Sequence, residues 1–340
     1  MVLLALALLA PTVISPVDPR IRYVGRWDFS DEKGPRCEWT ASMVEIRFHG
    51  TGLDADFVPC RAFWEAEVDG VVGQKFAPVS GGRFSVASHL PNGHHVVRLY
   101  RDTEAATGPT QILDYAVPNG GLDKPLAPTR RFEVIGDSIS CGYGDEGANA
   151  KEHFSLLTED AYLTYGAVAA RKVDADYTCV AWSGRKMWPD NTIPEIYDLS
   201  LPTLGVVWRF GRSEDAYVIN LGTNDFGKGN PDRAGWTNAY AKFIGKLREH
   251  SPKARIYCAV GPMMSDNYPP TQQARTTLIS YLGDVLAKRK QAGDDNLAII
   301  DFGVQDIAKN GVGADYHPNV KTHREMASRL IDQFRLDLRW

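Results

Sequence analysis

The sequence predicts two domains of different class. The first is an all-β sandwich, jelly-roll or barrel, and the second is a parallel α/β sheet covered on both faces. Three observations carry this. Residues 18–120 hold short strand-like runs with turn signals every ten or so residues. The stretch 118–130, PNGGLDKPLAPTR, is rich in Pro and Gly and has no periodicity. After it the rhythm changes to strands alternating with helices. The 340-residue length agrees with about two domains, divided as 18–120, a linker at 121–130, and 131–340.

In the first domain, Met43 to His49 alternates, with Val44, Ile46 and Phe48 on one face and Glu45, Arg47 and His49 on the other. Gly50-Thr51-Gly52 turns the chain, and Leu53 to Val58 resumes it. Trp64 to Val68 runs into Asp69-Gly70, a hairpin pair, and Val71-Val72 follows. Arg83 to Ala87, His95 to Tyr100 and Ile112 to Val117 complete the strands, and no helical period competes.

In the second domain the expected strands are Phe132–Ile135, Asp176–Ala181, Ala216–Leu221, Arg255–Val260 and Leu297–Asp301. The expected helices are Ala161–Val173 (Tyr162, Tyr165 and Ala169 near one face), Trp236–His250, Thr271–Gln291 and Val320–Phe334. In such a sheet, ligands bind outside the carboxyl ends of the strands.

Composition narrows the function. Apolar residues make up 44% and charged residues 24%, with a net charge of −4, so there is no basic footprint for nucleic acid. Met1 to Ala10 is almost wholly Leu, Val and Ala. It is shorter than the roughly 20 residues a membrane span needs, so no membrane span is expected. Residues 1–17 resemble the apolar part of a secretory signal without its basic start or its cleavage site, and a secreted or periplasmic protein is expected. The five Cys, at 37, 60, 141, 179 and 258, form no CxxC. Cys37 and Cys60 could pair in an oxidising compartment, but buried free thiols are the expectation. No metal is expected. His94 and His95 would point to opposite faces of a strand, and there is neither an HExxH nor a Gly-rich phosphate loop.

The strand ends carry the chemistry. After 132–135 comes Asp137-Ser138, after 176–181 Trp182-Ser183-Gly184, after 216–221 Gly222-Thr223-Asn224-Asp225, and before the last helix Asp315-Tyr316-His317-Pro318. Ser138 alone also fits an ordinary helix N-cap, Asn224-Asp225 a turn, and His317 a surface group. On one rim they fit acyl transfer. Ser138 is a nucleophile needing a base, which His317 can be. The backbone N–H groups of Ser138 and Gly184, with the Asn224 amide, are oxyanion donors. Asp315 is the candidate acceptor for the other imidazole nitrogen. Asp137 and Asp225 are expected to hold loops through backbone N–H groups, and Cys141 to pack behind Ser138.

These blocks resemble the SGNH (GDSL-like) hydrolases, and more narrowly carbohydrate esterase family 2. The supporting text is Ile21–Arg26, Gly136-Asp137-Ser138-Ile139-Ser140-Cys141-Gly142-Tyr143-Gly144, Asn220–Phe226 and Asp315–Asn319. The resemblance implies a flavodoxin-like three-layer SGNH hydrolase domain behind a jelly-roll or sandwich domain. It implies removal of O-acetyl groups from plant polysaccharides such as xylan or glucomannan, with no cofactor and with an acetylated polysaccharide or oligosaccharide as partner. A monomer is expected. In the wider superfamily the Asp stands three residues before the His; here Asp315 stands two before, a spacing family 2 shares, and some members use a Ser–His dyad with a backbone carbonyl. Trp182 and Trp188 are candidates for sugar stacking, with core packing as the equal alternative. Rival readings are a lipid or thioester hydrolase on the same scaffold and a non-catalytic carbohydrate-binding protein.

Overall fold

The computed structural model describes residues 12–340. The stretch Met1–Ala10 therefore lies outside the described residues. Just after it, Thr12–Ile14 adds an edge strand to Tyr115–Val117.

The first domain is two antiparallel sheets face to face. One runs Trp27–Asp28, Arg36–Cys37, Thr110–Val117, Leu53–Phe57, Gly82–Ala87. The other runs Gly121–Leu122, Met43–Gly50, Gly93–Arg101, Trp64–Val68, Val71–Val72, with Arg22–Val24 beside Met43–Gly50. Val44, Ile46 and Phe48 are wholly buried between the sheets, as their alternation requires. The opposite face is not left to solvent. Glu45 is 3% exposed and accepts from Arg98 Nε at 2.8 Å and Arg47 Nε at 3.2 Å. Gly121–Leu122 pairs with Phe48 and His49, so the sandwich includes the first residues of the Pro/Gly-rich stretch. A single 3₁₀ turn, Ala105–Thr107, interrupts the strands there.

The second domain has five parallel strands. Across the sheet they run Ala175–Ala181, Arg130–Gly136, Ala216–Asn220, Arg255–Val260, Leu297–Asp301. Counted along the chain this is the flavodoxin-like order 2-1-3-4-5, which reverses direction beside the strand ending at Gly136. Side chains alternate between the two faces. Phe132, Val134, Val218 and Tyr257 pack under helices Tyr165–Val173 and Val320–Leu338, while Ile135, Ile219, Ile256 and Cys258 pack under Arg233–His250 and Ala274–Gln291.

Two expected helices begin later than the periodicity suggests. Ala161–Leu163 is a 3₁₀ turn capped by Asp160, and the α-helix starts at Tyr165. Tyr162 consequently leaves the helix face and donates to Glu67 Oε2 of the sandwich at 2.9 Å. Thr271 and Gln273 have left-handed backbones, so the next helix starts at Ala274. All five Cys are free and buried. No described helix is long and apolar enough to cross a membrane.

Candidate active site

The strand Arg130–Gly136 ends at a glycine because the chain turns back on itself there. A Cβ on Gly136 would lie 2.1 Å from Ser140 Oγ. Asp137 is the N-cap of the short helix Ser138–Cys141, its Oδ1 accepting from Ile139 N at 3.1 Å. Ser138 is thereby the first helical residue, whose N–H has no partner within a helix. Its side chain stands on the carboxyl rim of the sheet, at the point where strand order reverses.

His317 arrives from the loop before the last helix. Its Nε2 lies 2.9 Å from Ser138 Oγ. The approach of the two loops depends on Gly144. Its carbonyl accepts from Ala314 N at 2.8 Å, and a Cβ there would meet the Ala314 Cβ at 2.7 Å. Tyr143 packs on the imidazole, ring centroids 4.3 Å apart, and stacks on Phe154 at 4.0 Å. Burial holds the His317 pKa below its ordinary 6.5, partly offset by hydrogen bonds with the Asp315 and Ala314 backbone. The resting imidazole is a neutral base.

Asp315 does not face the imidazole with its carboxylate, as the sequence reading expected. His317 Nδ1 lies 3.2 Å from the Asp315 backbone carbonyl. The carboxylate instead accepts from Phe154 N at 3.0 Å and Tyr143 OH at 3.2 Å, and lies 3.1 Å from His153 Nδ1. The Phe154 bond, with these partners, lowers its pKa. The cause lies in the backbone. Asp315 and Tyr316 both take left-handed conformations, φ 49° and 65°. Two residues so placed cost roughly 1–2 kcal/mol each, and the carboxylate bonds offset this by pinning the turn. The two-residue spacing thus brings a carbonyl, not a carboxylate, to the imidazole.

Asn224, in the short helix Thr223–Phe226, joins three loops. Its Nδ2 donates to Arg185 O at 2.9 Å and, at a long 3.4 Å, to Asp137 Oδ2. Gly184 is exposed, with φ 78°, and its carbonyl accepts from Asn191 Nδ2 at 3.2 Å. Asp225 pins the same loop, accepting from Met187 N and Trp188 N at 3.1 and 2.9 Å and from Trp236 Nε1 at 2.8 Å. Both loop-holding aspartates behave as their motifs suggested. Burial raises Asp137 to about 7 and Asp225 to about 6. Trp182 and Trp188 are half-buried against the catalytic-domain core, and the Arg185 guanidinium lies 4.7 Å over the Trp182 ring. Cys141 is wholly buried, its Sγ 3.7 Å from Glu104 Oε2.

Sequence reasoning missed Glu104. It belongs to the sandwich, yet its Oε2 accepts from Ser183 N at 2.6 Å, beside Gly184. Nothing in a lone Glu after a strand signals that it reaches a loop 79 residues on.

The arrangement presents a hydroxyl touching a neutral imidazole, a carbonyl behind that imidazole, and polar donors on the same rim. Comparisons with known proteins show the family of the chain. The model of the GDSL-like lipase/acylhydrolase family matches residues 134–325, and that of the carbohydrate esterase 2 N-terminal domain matches residues 23–126. Cellulase/esterase CelE of Acetivibrio thermocellus is 35% identical over 95% of this chain, which spans only 40% of that protein's length. An acetylxylan esterase / glucomannan deacetylase of Cellvibrio japonicus is 28% identical, covering 96% of this chain and 91% of the relative. The solved structure of a family two carbohydrate esterase from Clostridium thermocellum in complex with cellohexaose superposes with a TM-score of 0.89 at 34% identity, covering 94% of this chain and 99% of that one. The chain belongs to the GDSL-like lipase/acylhydrolase family, as a two-domain member of the family 2 carbohydrate esterases.

Proposed function

We propose that the chain is a serine esterase that removes O-acetyl groups from plant polysaccharides of the acetylated xylan or glucomannan kind. The contact of Ser138 Oγ with His317 Nε2 at 2.9 Å carries this reading. Ser138 Oγ attacks the acetyl carbonyl while His317 Nε2 takes its proton. The imidazolium that forms donates through Nδ1–H to the Asp315 carbonyl. The backbone N–H groups of Ser138 and Gly184, with the Asn224 amide, are the oxyanion donors. The long Asn224–Asp137 contact, 3.4 Å, is the one this amide gives up for an oxyanion. His317 then returns the proton to the departing sugar oxygen, leaving acetyl-Ser138. Water, deprotonated by the same imidazole, attacks the acetyl carbonyl, and the imidazolium returns the proton to Ser138 Oγ as its bond to the acetyl carbon breaks and acetate leaves.

The choice of polysaccharide rests on the relatives' named activities, and Trp182 and Trp188 are the proposed sugar contacts. A polymer cannot be reached from the cytoplasm, so secretion is part of the reading, with the chain acting as a monomer. The test is acetate release from acetylated xylan and glucomannan, set against release of octanoate from an octanoyl ester. Release of acetate with octanoate turnover at least about tenfold lower is expected; faster octanoate turnover would move the substrate to lipids.

A pH prediction follows from the burial of His317. Its neutral form is the active base, and its pKa lies below 6.5. The acid limb of kcat/KM should therefore have its midpoint below 6.5. A midpoint at or above that value would show that burial does not depress His317 in the working enzyme.

A further inference from the structure

We propose that the seam between the two domains holds a divalent cation of the calcium class, ligated by Glu65, Asp102 and Asp160. The ligands come from both sides. Glu65 lies on the strand Trp64–Val68 and Asp102 just after Gly93–Arg101, both in the sandwich. Asp160 lies in the catalytic domain, between the nucleophile helix Ser138–Cys141 and the helix Tyr165–Val173. One carboxylate oxygen from each of Glu65, Asp102 and Asp160 lies within 4.8 Å of the other two. Calcium holds oxygens at about 2.3–2.6 Å, so ligands on opposite sides of it stand about 4.6–5.2 Å apart.

The second observation is that buried carboxylate oxygens at this cluster, both of Asp102 among them, have no hydrogen-bond partner among the described residues. Asp145, close by in the catalytic domain with its N–H on the same Gly142 carbonyl as that of Asp160, is 1% exposed, and neither of its carboxylate oxygens has a hydrogen-bond partner among the described residues. Asp102 is wholly buried with both oxygens likewise unpartnered, and so is Oε1 of Glu65.

Charge makes the same point. The ammonium of Lys75 pairs with Asp160 Oδ2 at 2.9 Å and with Glu146, and donates to Glu159 O at 3.0 Å. The charge of Arg171 also acts on Glu65. These are few cations for Glu65, Asp102, Asp145, Glu146 and Asp160. Burying unpaired carboxylates is costly enough that they either take protons or find a metal. Burial and mutual repulsion do push Glu65 up to about 8 and Asp102 and Asp145 well above the ordinary range. An all-oxygen, multi-carboxylate donor set suits Ca²⁺ better than Mg²⁺, which keeps its waters, or Zn²⁺, which prefers nitrogen and sulfur. An ion here would also brace the active site. The Asp145 carbonyl accepts from Val320 N at 3.2 Å, three residues past His317, and Gly142 O accepts from both Asp145 N and Asp160 N.

The ion would bind with or without substrate, and binding and unfolding rather than activity report it. The full chain is stripped with EDTA, and CaCl₂ is titrated in by calorimetry and by thermal unfolding at neutral pH. One saturable site is expected. Tm should rise by about 4 °C or more at a hundredfold excess over Kd, and less with MgCl₂ at the same concentration. Asp102→Asn and Glu65→Gln each relieve repulsion in the stripped protein, so each should keep its EDTA-state Tm at or above wild type. Each should weaken calcium binding at least about tenfold. Should Asp102→Asn not fold, Glu65→Gln carries the comparison. No calorimetric site, with Tm equal in EDTA and calcium, would overturn the proposal. A stripped Tm that rises as pH falls would then assign the cluster to shared protons. A calcium shift undiminished in the variants would place the ion elsewhere and equally overturn it.

Discussion

Ser138→Ala is expected to reduce acetate release by about 10⁴-fold or more in kcat, with His317→Ala comparable and Asp315→Asn within a few-fold of wild type. The first two follow from one hydrogen bond. Ser138 Oγ and His317 Nε2 are 2.9 Å apart, and removing either atom removes both nucleophile activation and proton return. The third follows from which atom of residue 315 meets the imidazole. His317 Nδ1 faces the backbone carbonyl at 3.2 Å, which an asparagine preserves. Asn also tolerates the left-handed backbone held at φ 49°. Its side-chain oxygen can still accept from Phe154 N, now 3.0 Å from the carboxylate. Steady-state kinetics on an acetyl ester checks all three, with circular dichroism to confirm folding. A loss of a hundredfold or more in folded Asp315→Asn would mean that the carboxylate swings to the imidazole during turnover, and the dyad geometry would fail.

Residue 315 also marks where the sequence stopped being sufficient. The strand ends were legible, because apolar runs stopping at Gly-Asp-Ser or Gly-Thr-Asn-Asp can only sit at a sheet edge. Ser138 and Asn224 share one rim for that reason, and the loop before the last helix brings His317 to it. Val44, Ile46 and Phe48 were legible from alternation alone. Asp315 was visible as a residue, but not the φ that decides whether its carboxylate or its carbonyl arrives. Glu133 reads as one polar interruption in an apolar run, although it is 4% exposed in the middle of the sheet. Its partner Arg26 lies 107 residues earlier, in the other domain. Glu104, Trp39 and the clustered carboxylates of the seam are invisible for the same reason. Their partners lie across a domain boundary, and no periodicity or local motif spans such a distance. What periodicity records is burial within one element; what it omits is contact between domains.

That omission motivates the second large effect. Arg26→Ala is expected to destabilise the protein by about 3–5 kcal/mol, out of the roughly 5–15 kcal/mol that holds a typical domain. Arg26 is wholly buried, and its Nη2 bonds both Glu133 oxygens at 3.1 and 3.0 Å. Its guanidinium also lies 4.3 Å from the Tyr197 ring centroid and donates to the Tyr197 carbonyl. Without it, Glu133 is a carboxylate inside the catalytic core whose remaining strong donor is Tyr197 OH at 2.7 Å. The double variant Arg26→Met, Glu133→Gln should recover most of the loss, because Gln keeps that tyrosine bond and the charge is gone. Urea unfolding followed by tryptophan fluorescence and by residual activity measures both quantities. The two probes should coincide in every variant. Trp39 of the sandwich is buried in the core of the catalytic domain and donates to Leu199 O at 2.9 Å, so the catalytic domain loses part of its core when the sandwich opens. A loss under about 1 kcal/mol, the scale of an exposed ion pair, would show that Arg26 is not a keystone of the seam. Activity that outlasts the sandwich's unfolding would show that the sandwich does not support the catalytic loops.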